Sequence, residues 1–82
     1  LLYLKRKEEG GREAPIFKGY RAQCNFKTQN VKGKINFKDE MIMPGDYTTI
    51  IVHLDDKVDI RKGETFVIKE DENVIGFGRV VN

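Results

Sequence analysis

The sequence predicts an all-β fold, a small barrel or sandwich in one domain spanning residues 1–82. Three observations predict it. Side-chain polarity alternates with a period of two over several stretches, as in strands with one buried face. No stretch keeps a helical period for ten residues. Glycine, proline and acidic clusters recur at the spacing of turns between short strands. About six such strands, left flat, would expose two edges; closing the sheet removes them, which favours a barrel.

Each element has its own signal. Leu1 to Lys7 is apolar and then basic, a first strand. Tyr20 to Thr28 puts Tyr20, Ala22, Cys24 and Phe26 on one parity, with Arg21, Gln23, Asn25 and Lys27 on the other. Gln29-Asn30 turns the chain, and Val31 to Phe37 alternates again, so the two strands read as a hairpin. Lys38-Asp39-Glu40 is a turn, Met41-Ile42-Met43 a short apolar run, and Pro44-Gly45-Asp46 a strong turn signal. Tyr47 to Leu54 is rich in β-branched residues and reads as one central strand. Asp55-Asp56-Lys57 breaks it, and Val58-Asp59-Ile60 is a short extended piece. After a turn at Arg61 to Glu64, the strands Thr65 to Lys69 and Val74 to Val81 flank a tight turn at Glu70 to Asn73. Gly76 and Gly78, on alternate positions, predict sharp bending or close approach of a neighbouring backbone.

Charge is uneven along the chain. Net charge is only +2, but residues 1–37 carry 9 Lys/Arg against 3 Asp/Glu, and residues 38–82 carry 6 against 10. A polarised surface follows if the fold segregates the halves. A single cysteine, Cys24, excludes an internal disulfide and a cysteine-rich zinc site. No apolar run approaches a membrane span. The chain opens without Met and is expected to be excised from, or related to, a larger protein.

The chemistry concentrates in Glu8 to Gln23. Gly10 and Gly11 supply flexibility, and Pro15 stiffens the approach to the next strand. Phe17 and Tyr20 can anchor this loop while Arg12, Lys18, Arg21 and Gln23 face outward. With Lys27, Lys32 and Lys34 these form a candidate phosphate-binding surface, against the alternative of a solvated polar face. His53 is the only histidine and sits near Asp55 and Asp56, but no pocket is evident, so a half-exposed strand residue is the better reading. Cys24 lies on the apolar parity and reads as a buried, inert thiol. Asp55, Asp56 and Asp59 lack the loop spacing of a calcium site. No phosphate-binding loop of the nucleotide-hydrolase type is present, so the chain is not expected to bind GTP itself; with no nucleophile–base pair or metal cluster visible, it is not expected to be an enzyme.

Lys7-Glu8-Glu9-Gly10-Gly11-Arg12, followed by Pro15-Ile16-Phe17-Lys18-Gly19-Tyr20-Arg21-Ala22-Gln23, resembles the opening of the third, C-terminal domain of bacterial elongation factor Tu. Met41-Ile42-Met43-Pro44-Gly45-Asp46 is similar to that domain's Met-Pro-Gly-Asp turn, and Phe66 to Glu70 with Val74 to Gly78 to its closing hairpin. The resemblance covers essentially the whole chain in order. It implies a small closed six-stranded antiparallel β-barrel within a cytoplasmic translation GTPase. It also implies contacts with the aminoacyl-tRNA T-stem backbone, the GTPase and middle domains, and a nucleotide-exchange factor. GTP and magnesium belong to another domain of such a protein, leaving no cofactor here. By position, Arg12, Gln23, Lys32 and Glu70 are the implied RNA-binding residues. Met41, Ile42 and Met43 are expected at a protein interface. The chain departs from the family's usual residues at Ala22, Cys24-Asn25 and Asp71-Glu72-Asn73. A divergent protein-interaction or scaffold barrel without RNA binding is therefore the alternative.

Overall fold

A computed structural model describes residues 1–81. Among the described residues nine strands form: β1 (Leu2–Leu4), β2 (Ile16–Phe17), β3 (Tyr20–Asn25), β4 (Asn30–Asn36), β5 (Met41–Ile42), β6 (Tyr47–Thr48), β7 (Ile51–Leu54), β8 (Thr65–Glu70) and β9 (Asn73–Arg79). The one helical piece among the described residues is a 3-10 turn, Lys7–Glu9. Seven strands make one antiparallel sheet in the order β6-β1-β9-β8-β3-β4-β7, and β2 pairs with β5.

Period-two alternation becomes an inside and an outside. Leu4, Gly76, Ile68, Cys24 and Val31 oppose one another across five strands, and all are buried. A second inward row joins Leu2, Gly78 and Phe66. Here glycine is required by space: a Cβ on Gly78 would lie 2.2 Å from the Phe66 ring. The short β2–β5 ribbon covers the core with Ile16 and Ile42, which are paired and buried, while the paired Phe17 and Met41 face solvent.

The expected central strand from Tyr47 to Leu54 is two strands, β6 and β7, and both are edges. Only Thr49 and Ile50 separate them. Seven flat strands would hold those edges about 29 Å apart at the usual spacing. Three Cα–Cα steps reach only about 11 Å. The sheet must therefore curl strongly until its two edges nearly meet, with Ile50 packed against the core at the crossing. Among the described residues no ladder joins β6 to β7, so the chain itself links the edges there. The sheet thus has seven strands rather than six because one strand breaks between its two partners, β1 and β4.

The segment Val58-Asp59-Ile60 forms no strand. The Pro44-Gly45 turn is tied to β1: Gly45 N–H donates to Leu4 O at 2.7 Å, and Leu4 N–H to Asp46 O at 3.1 Å. Gly10 ends the 3-10 turn with φ 90°. Gly11 serves proximity instead, since a Cβ there would meet Lys5 O at 2.3 Å.

Candidate nucleic-acid interface

Arg12, Tyr20 and Glu70, far apart in sequence, meet at one end of the curled sheet. Glu70 continues the parity of Phe66 and Ile68, which are buried, so its carboxylate turns toward the core end. There it forms an ion pair with the Arg12 guanidinium. Tyr20 Oη donates to Glu70 Oε2 at 2.9 Å and accepts from Arg12 Nη1 at 3.1 Å. Arg12 also donates to the carbonyls of Ala14 at 3.2 Å and Pro15 at 3.3 Å. Its side chain is only 19% exposed. Partial burial, reinforced by the Glu70 carboxylate, pushes the Tyr20 phenol up to about 12. This cluster pins the flexible Gly10-Gly11 loop to the end of β8. The repulsion expected of Glu70 toward an anion is offset by its partner.

Outside this clamp lies a row of long polar side chains. Gln23 on β3 stands directly opposite Lys32 on β4 and Lys69 on β8. Tyr20, Gln23, Lys32, Lys69, Glu70 and Asp71 line a shallow depression of about 450 Å³. The curled sheet thus gathers Gln23, Lys32 and Glu70 at one place, with Arg12 held behind Glu70. Lys69 belongs with them although the sequence did not single it out. Its period-two parity was visible; the pairing of β3 with β8, across more than 40 residues of chain, was not.

The other cations divide. Arg21 opposes Lys34, and Lys34 opposes His53. Arg21 is held in an ion pair by Asp55. Among the described residues Lys32, Lys34 and Lys69 form no ion pair. Asp55-Asp56 and the exposed Asp71-Glu72 tip bound the cationic area on opposite sides.

The remaining candidates resolve simply. Ile42 is 3% exposed and belongs to the core, so the expected interface run Met41, Ile42, Met43 reduces to its two exposed methionines, joined by exposed Phe17. Ile42 is inward because strand parity alternates, and Met41 and Met43 flank it. His53 is exposed, opposite a lysine. Cys24 is fully buried, and burial pushes its thiol up to about 11, far from a reactive thiolate. Among the described residues no group of three or more His, Cys, Asp or Glu could hold a metal ion. No helix among them is long and apolar enough to cross a membrane.

The order of motifs and the all-β curled sheet agree with one comparison: a family model described as the elongation factor Tu C-terminal domain matches residues 2–82. The chain belongs to the elongation factor Tu C-terminal domain family, a translation elongation factor module.

Proposed function

We propose that this domain contacts the sugar-phosphate backbone of aminoacyl-tRNA through Gln23, Lys32 and Lys69, with Arg12 and Glu70 shaping the rim. The observation that carries the reading is the convergence of Gln23, Lys32, Lys69 and Glu70 on one depression in a chain of this family. Two ammonium groups flanking an amide suit phosphate and ribose oxygens rather than base edges, so binding is sequence-tolerant and salt-sensitive. The exposed Phe17, Met41 and Met43 patch is the surface for a neighbouring GTPase or middle domain of the same protein, or for an exchange factor; flexible methionines suit such contacts. The domain acts by binding, without its own catalysis or cofactor, in the cytoplasm.

The test is a titration of the full-length protein with labelled aminoacyl-tRNA across a range of salt. Lys32→Ala and Lys69→Ala should each weaken binding at low salt and flatten the salt dependence by about one phosphate contact. Parent-like affinity and slope in both variants would place the RNA elsewhere. The acidic tip Asp71-Glu72 favours a second reading, a barrel that binds only protein. Retention of a protein partner with no tRNA binding at any salt would favour it.

A further inference from the structure

Beside the cationic depression, the same outer face continues as an aromatic row. The register aligns Tyr47, Tyr3, Phe77, Val67 and Asn25 on five neighbouring strands, β6, β1, β9, β8 and β3. At the usual strand spacing the row runs roughly 19 Å. Tyr47 is 72% exposed and Phe77 48%. The Tyr3 and Tyr47 rings lie 4.8 Å apart, tilted by 39°. Together they line a groove of about 720 Å³.

Two further observations say what fits this groove. Its rim is cationic: Lys27 and Arg79 line it, and the Lys5 ammonium sits 5.6 Å from the Phe77 ring centroid. Among the described residues no carboxylate lines it. Glu9, which touches the Tyr3 hydroxyl, is already engaged there and by the Arg6 amide.

We infer that the aromatic row is a stacking platform for unpaired RNA nucleotides. Bases lie on Tyr47, Tyr3 and Phe77, and phosphates face Lys27 and Arg79. Aromatic faces accept any base while cations follow the backbone. An apolar protein face would instead desolvate these cations without supplying partners. Continuity points the same way. Asn25 and Gln23 are alternate residues of β3, about 7 Å apart, so the platform abuts the Gln23–Lys32–Lys69 row. A strand leaving a duplex on the cations runs directly onto the aromatics. The inference extends the RNA reading above, and its test separates the two.

Fluorescence anisotropy on the full-length protein at low salt would compare a labelled 12-nucleotide oligouridylate with a blunt 12-base-pair RNA duplex, lengths of about the scale of one such binding groove. Tyr47→Ala and Phe77→Ala should each weaken oligouridylate binding about tenfold and leave duplex binding unchanged, while Tyr47→Phe keeps parent affinity. Lys32→Ala should weaken the duplex. Thermal melts of each variant establish that the fold persists. Parent-like oligouridylate binding by both alanine variants overturns the platform. So does a parent protein that binds duplex but not oligouridylate, or one in which another domain shields Tyr47 and Phe77 from hydroxyl-radical labelling before RNA is added. Oligouridylate binding lost on Tyr47→Ala, without any duplex binding, supports the platform and sinks only the reading at the depression.

Discussion

Arg12 shows how one side chain changes meaning between sequence and structure. In the sequence it is a cation on a loop, open to phosphate. In the fold its donors are taken by Glu70, Tyr20, Pro15 and Ala14. Arg12→Ala should therefore act first on stability, lowering it by roughly 1 kcal/mol, a modest figure because Glu70 is partly exposed and can rehydrate. Chemical denaturation measures it. Tyr20 gives a pH signature of the same cluster. Its folded pKa of about 12 lies above the ordinary phenol value of 10. Between these values the unfolded chain loses its proton first, so this contribution to stability is intact below pH 10 and falls as pH rises toward 12. Tyr20→Phe should be less stable than the parent at pH 7, and the gap should shrink across that window, as read by urea midpoints at each pH. Alternation on β3 made the inward Tyr20 legible; the Arg12–Glu70 partnership was not, because it spans 58 residues and depends on how β8 ends beside the loop.

Strands were legible where one face is apolar and the other polar. β3 and β4 follow this rule, and their predicted parities match the buried set Ala22, Cys24, Val31 and Ile35; β8 alternates likewise, with Phe66 and Ile68 buried. Gly78 was legible as a site of close approach, but its partner was not. The register now supplies it: Phe66 lies directly across and fills the space a side chain would need. Gly78→Ala should force that buried ring to move, costing about 1–3 kcal/mol as an overpacked core does. For a domain of this size the melting temperature should drop by roughly 10 °C, measured by circular dichroism. A drop of a degree or less would mean the ring has room to yield. The break between β6 and β7 was the element least legible in the sequence. Tyr47 to Leu54 is uniformly β-prone, so nothing local marks Thr49 and Ile50 as the crossing. It arises because one half of the segment pairs with β1 and the other with β4.

At the scale of the molecule, the charge asymmetry along the chain does not survive as two separate faces. The acidic second half is woven into the basic first half: β8 lies between β9 and β3, and β7 flanks β4. Glu70 thereby meets Arg12, and Asp55 meets Arg21. What remains is a smaller cationic strip of Lys32, Lys34 and Lys69 between acidic margins. This arrangement makes Asp55 a control on the proposed RNA surface rather than a structural support. Both members of the Arg21–Asp55 pair are substantially exposed, at 54% and 42%, so the pair contributes at most about 1 kcal/mol to folding. Its effect on an anionic partner is larger in kind, because it withholds a guanidinium beside Lys34 and adds a carboxylate at the margin. Asp55→Asn keeps the side-chain volume, removes the charge and frees Arg21. With the RNA on the Gln23–Lys32–Lys69 row, duplex affinity at low salt should rise several-fold and the salt dependence should steepen by about one contact. The melting temperature should change little. Unchanged affinity and slope would mean that the RNA footprint stops short of β7, and weaker binding would mean that Asp55 orients Arg21 for contact rather than holding it back.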